Sequence, residues 1–254
     1  MTTPTDLPKI PITVHLVELR QRLVRSLLAV AIGFGICYGY SETLLRVFTA
    51  PLVRALPPGQ QKLVVTGLAE TFMVHLKVSL VAGLVVALPY VFYQIWLFIA
   101  PGLYRNEQKA ALPVVAAACV LFAVGASFAY FVVLPIGIRF LLGYSSGSLT
   151  LLPLLREYLA FAGRFLLAFG IVFEMPLISF VLSRLGIVNH RMLSQSRRYA
   201  IVVIFIIAAI FTPPDVMSQM MMAIPLLVLY EISIWVARLF GKAPEPAEKT
   251  TEPA

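Results

Sequence analysis

From Ala110 to Leu134 the chain carries no charged side chain, a run longer than the about 20 residues with which a helix crosses a hydrocarbon core of about 30 Å. Further apolar segments cover residues 23–40, 72–99, 159–182, 199–211 and 216–236. In lipid every backbone N–H and C=O must find its partner inside the structure, so such segments read as helices. The chain has 254 residues, is 60% hydrophobic and only 13% charged, which removes it from the range of ordinary soluble domains. The expectation is an all-α polytopic membrane protein. A single six-helix membrane domain spans residues 1–240, its last two helices short, and a disordered cytoplasmic tail follows at 241–254.

The interruptions between spans are equally informative. Thr13 to Arg22 places Val14, Leu19 and Leu23 on one side, predicting a short amphipathic helix along the membrane surface before the chain turns in. Leu44 to Leu56, broken by Pro51 and stopped at Pro57-Pro58-Gly59, predicts a kinked interfacial helix. Gly35 and Gly39 in the first span have a small-residue spacing that permits close helix approach. Pro89 predicts a kink in the long second span. Residues 135–158 read as a loop, and Thr212-Pro213-Pro214-Asp215 as the reversal between two short helices. Lys77, about a turn and a half into the second span, is expected to snorkel to the interface.

Lys and Arg residues collect on one side when the N-terminus is placed in the cytoplasm: Arg20, Arg22, Arg25, Arg105, Lys109, Arg184, Arg197, Arg198 and others against Arg46, Arg54, Lys62, Arg139 and Arg156. Both termini are therefore expected inside. The net charge of +8 follows from that topology, and no basic stripe with interleaved aromatics supports a nucleic-acid partner. The N-terminal residues 1–14 are polar and proline-rich, without the pattern of a cleaved signal.

Enzymatic chemistry finds little support. His15, His75 and His190 lie at different depths and form no metal-binding pair, Cys37 and Cys119 have no ligand spacing, and no phosphate-binding glycine loop occurs. Gly125-Ala126-Ser127-Phe128 lacks the second glycine of a nucleophile elbow and reads as a packing site. No catalytic residue, metal or cofactor is expected. The acids carry more. Glu18 and Glu107 sit on two separate elements of the cytoplasmic face, where two carboxylates suit a ligand with adjacent guanidinium groups. Pairing with Arg20, Arg22 or Arg105 explains them equally well. Glu174 lies deep in the fourth span, where an acid costs about 2.5–3.5 kcal/mol on insertion scales. A secondary transporter for a small solute or ion would use such a residue; a passive scaffold would not need the cytoplasmic pair.

His15-Leu16-Val17-Glu18-Leu19-Arg20-Gln21-Arg22 resembles the N-terminal signature of the TatC family of the twin-arginine protein translocase. Tyr93-Gln94-Ile95-Trp96-Leu97-Phe98-Ile99-Ala100-Pro101-Gly102-Leu103 with Glu107, Phe169-Gly170-Ile171-Val172-Phe173-Glu174-Met175-Pro176, and Thr212-Pro213-Pro214-Asp215 with Gln219, Pro225, Tyr230 and Glu231 are similar to further family motifs in the family's order. The resemblance implies six helices in a concave, cup-like bundle that receives the signal peptides of folded export substrates. It assigns signal-peptide recognition to Glu18, Arg20, Phe98 and Glu107, and an intramembrane polar, partner-docking role to Glu174, Asp215 and Gln219. Implied partners are twin-arginine signal peptides, single-span TatA-type and TatB-type subunits, the lipid bilayer and further copies of the chain. The proton-motive force would drive transport across a bacterial inner membrane.

Overall fold

The computed structural model describes residues 12–57, 63–65, 67–100, 111–143, 154–212 and 215–241. Ten α-helices occur among them: α1 Ile12–Tyr38, α2 Ser41–Ala55, α3 Leu68–Ile99, α4 Ala111–Phe128, α5 Leu134–Gly143, α6 Leu155–Val172, α7 Met175–Arg184, α8 His190–Gln195, α9 Arg197–Phe211 and α10 Val216–Phe240. No β-strand occurs among the described residues beyond an isolated bridge between Val64 and Leu154. Five stretches are long and apolar enough to cross a membrane: Leu16–Tyr38, Ala69–Ile99, Ala111–Gly143, Leu155–Arg184 and Val216–Phe240. The expected fifth crossing at 199–211 is α9, whose 15 residues reach about 22 Å and fall short of the hydrocarbon core.

Two helix boundaries depart from the sequence-based expectation. The amphipathic stretch at 13–22 does not form a separate surface helix but continues into α1, because no proline or glycine interrupts residues 12 to 32. The supposed loop at 135–158 is helical as far as Gly143. Pro135 has no N–H to give and its ring crowds the preceding turn. A π-helical segment, Ala129–Val133, precedes it, and the Leu134 N–H bonds to the Ala129 carbonyl five residues back. The wider turn carries the helix past the proline. By contrast, α2 holds Pro51 inside it and α3 holds Pro89, as the sequence indicates.

Two compact units emerge, Met1–Val120 with Ile138–Gly163 and Leu121–Gly137 with Arg164–Ala254. In the first, α1 and α3 pack along their lengths. At their crossing Gly33 faces Gly83, and a Cβ on either would meet the opposite backbone far inside van der Waals contact. Gly35 faces open space and Gly39 meets only its own helix, so the close approach runs through Gly33 and not through the pair that the spacing suggested. Tyr158 donates from its hydroxyl to the Phe48 carbonyl at 2.8 Å, tying the start of α6 to α2.

In the second unit α10 packs against α7 and α9, with Phe165, Phe169, Met222 and Leu226 fully buried. Helix α7 stops at Gly186, the one residue with positive φ among those described, at 73°. The Ile187 N–H returns to the Leu182 carbonyl at 3.0 Å and the Gly186 N–H to Ser183 at 3.2 Å, a Schellman ending in which glycine adopts the left-handed conformation without a Cβ penalty. Asn189 then starts α8 by accepting from the Met192 N–H at 2.9 Å, the capping use that favours this residue.

Candidate functional site

Four positions on α1 and α3 define a charged group at one helix end. Glu18 and Arg22 lie one turn apart on α1, and the Arg22 Nη2 reaches the Glu18 Oε1 at 3.1 Å. The other guanidinium arm, Nη1, donates to the Gln94 Oε1 at 3.1 Å, bridging to α3. Gln94 is only 3% exposed, so this amide is a fixed anchor whose loss would leave a part-buried donor unsatisfied. Glu18 is half-buried and Arg20, on another face of the turn, is exposed.

The helix register places Phe98 at the level of this group. Gly33 meets Gly83 and Arg22 meets Gln94, with eleven positions between the contacts on each helix, so α1 and α3 run antiparallel in step. Four residues further, Glu18 comes level with Phe98, which lies one turn beyond Gln94 on the same face of α3. Phe98 is half-buried next to the end of α3. Glu107, the second carboxylate expected from sequence, lies outside the described residues, as does the rest of 101–110. Sequence reasoning noticed the Glu18–Arg22 spacing but gave no role to Gln94. A polar amide within the uncharged 22-residue run from Val78 to Ile99 was the available signal.

Glu174 occupies the break between α6 and α7 and is 7% exposed. The Phe122 backbone lies within hydrogen-bonding reach of its carboxyl, while Oε1 has no hydrogen-bond partner among the described residues. Its surroundings are aromatic: Phe173 stacks against Phe128 at 5.8 Å between centroids, and Phe128 against Phe169 at 5.7 Å. Gly125 and Gly170 admit these rings, since a Cβ on either would overlap Phe173 or Phe122.

Asp215 and Gln219 belong to the α9–α10 reversal. Asp215 caps α10 through Oδ1, which accepts from the Ser218 N–H at 2.7 Å, while its buried Oδ2 has no partner among the described residues. The Gln219 amide donates to the Phe205 carbonyl at 3.0 Å, tying α10 to α9. These polar groups do not join Glu174. Helices α7 and α10 end together, with Phe180 against Phe240 at 5.5 Å. Counting back from that contact at 1.5 Å per residue puts Glu174 and Asp215 at levels about 28 Å apart.

Long apolar helices and a buried acid at a helix break define a polytopic helical membrane protein. Comparison with known proteins makes this specific. A family profile described as "Sec-independent protein translocase protein (TatC)" matches residues 14–225. The Sec-independent protein translocase protein TatC of Desulforapulum autotrophicum is 51% identical over 241 residues, covering 95% of this chain and 89% of that one. That of Aquifex aeolicus is 39% identical over 241 residues, covering 94% and 99%. A crystal structure of the twin-arginine translocase receptor TatC superposes with a TM-score of 0.80 at 40% identity, over 89% of this chain and 98% of that one. The chain belongs to the TatC family. It is a multi-pass membrane component of Sec-independent protein translocation, not an enzyme, and the solute-transporter reading of Glu174 gives way to this one.

Proposed function

We propose that this protein is the receptor that binds twin-arginine signal peptides of folded precursors, through the end of the α1–α3 pair. The observation that carries the reading is the Glu18–Arg22–Gln94 chain. Glu18 gives one carboxylate oxygen to Arg22, and its Oε2 has no partner among the described residues. An incoming guanidinium can take that oxygen while Gln94 keeps Arg22 in place. Phe98, level with Glu18, supplies apolar surface to the segment that follows the arginines, Glu107 takes the second arginine, and exposed Arg20 lies at the rim. Arg22 neutralises much of the Glu18 charge, so recognition depends on fork geometry more than on net attraction.

In this reading the chain crosses the membrane six times with both termini in the cytoplasm of a bacterial cell, α9 forming the short fifth crossing beside a locally thinned bilayer. It assembles with TatA-type and TatB-type single-span subunits and with further copies of itself. Glu174 and the Asp215–Gln219 region offer polar surface to partner helices, and the proton-motive force drives passage. The test is a photoreactive residue beside Glu107, introduced into the full chain in membranes. It should capture a twin-arginine precursor and fail with its twin-lysine counterpart. Equal capture of both would overturn the proposal.

A further inference from the structure

At the opposite end of α3 from Gln94, a cavity of about 360 Å³ opens among Gly67, Glu70, Met73, Lys77, Arg156 and Leu159. Its volume falls in the range of small-ligand pockets. Two cations and one acid line it, and Arg156 is only loosely engaged elsewhere, with Glu157 at 3.8 Å and both side chains about 70% exposed. No ion pair to Lys77 occurs among the described residues. The lining thus carries two cations against the one carboxylate of Glu70, with Glu157 beside Arg156 outside the lining, and α3 begins at Gly67 without a side-chain cap, so the N–H groups of its first turn also face this end.

Lys77 also lines a second, adjoining cavity of about 220 Å³, whose other walls are Phe34, Leu76 and Leu80. That groove is apolar and lies along α1 and α3 within two of the candidate membrane spans. A cationic chamber and a hydrocarbon groove sharing one lysine match an amphiphile with a negative head and an apolar tail. Lys77 stands about 12 Å along the 31-residue Ala69–Ile99 span, which at 1.5 Å per residue outreaches a hydrocarbon core of about 30 Å at its ends, so the lysine lies near the interfacial level at which a phospholipid carries its phosphate. Snorkelling alone would send the amine to water. Here the same lysine also borders both chambers.

The geometry points to a site for one phospholipid with a net negative phosphodiester head: the phosphate between Lys77 and Arg156, one acyl chain against Phe34, Leu76 and Leu80. Basic pockets between membrane helices are suited to such headgroups. This site is separate from the Glu18 group and does not rest on the signal-peptide reading.

The full chain, purified in mild detergent, would be supplied with phosphatidylglycerol or phosphatidylcholine and weighed intact by native mass spectrometry. One phosphatidylglycerol should be retained about tenfold or more over phosphatidylcholine. Lys77→Gln with Arg156→Gln should abolish the preference, whereas Lys77→Arg and Arg25→Gln, which lies toward the Gln94 end of the α1–α3 pair, should keep it. Leu80→Trp, which fills the groove without changing charge, should lower retention of the anionic lipid. Excess glycerol phosphate, which has the head but no tail, should not displace it. Equal retention of both lipids, a preference that survives the double substitution or the Trp, or displacement by glycerol phosphate would each overturn the lipid site. A native elution profile for every variant separates these results from misfolding.

Discussion

Glu18 enters any encounter already half-engaged, and that alters what its substitution can report. Removing Glu18 frees Arg22, so a charge change there alters two groups together. Gln94 is the cleaner probe. Gln94→Leu removes the acceptor that fixes Arg22 and should cost about 1–2 kcal/mol of stability, seen as a lower thermal midpoint in detergent, together with a several-fold loss of signal-peptide crosslinking. Gln94→Glu keeps an acceptor at the same reach and should restore most of both. Unchanged midpoint and crosslinking in the leucine variant would show that the Arg22–Gln94 bond positions nothing. The i, i+4 pair of Glu18 and Arg22 was legible from spacing because it is local. Gln94 was not, because 72 residues separate it from Arg22 and only the pairing of two helices brings them together.

At the scale of elements, the glycines show where sequence reading stops. In lipid the tails are as apolar as leucine, so no hydrophobic contrast marks which face of a helix meets protein. Gly35 and Gly39 carried the right spacing, yet Gly33 meets Gly83. Gly83→Ala should destabilise by about 1–3 kcal/mol through overpacking. Gly35→Ala, which faces open space, should be neutral or stabilise by up to about 1 kcal/mol through helix propensity. Thermal unfolding of the two variants side by side checks the contrast, and equal effects would contradict the crossing. Pro51 and Pro89 lie inside α2 and α3 as read, whereas Pro135 was misread as ending a helix, since a π turn that absorbs a proline has no sequence signature of its own.

For the molecule as a whole, the sequence made membrane helices plain through length and composition alone, whereas α9 marks the point where those criteria fail. Fifteen residues neither exclude nor guarantee a crossing in a bilayer that can thin. If α9 crosses, a cysteine at Ser194 on α8 and one at Asp215 after α9 should react with a membrane-impermeant maleimide from opposite sides of oriented vesicles, in a background lacking Cys37 and Cys119. Reaction from the same side would reduce the crossings to five. That an acid at Glu174 lies within an apolar stretch was legible; its separation from Asp215 by about 28 Å was not, because it follows from α7 and α10 ending together.

The Gly33–Gly83 contact has a mechanical consequence. Helix α1 is a single unbroken rod from Ile12 to Tyr38, and its nearest approach to α3 is a point without side chains. Such a point acts as a fulcrum. Glu18 lies fifteen positions away, about 22 Å along the rod, so a tilt of about 5° swings it by about 2 Å, enough to make or break a hydrogen bond. The Arg22–Gln94 bond grips the same rod near the end of that arm, where a single hydrogen bond resists rotation with the greatest leverage.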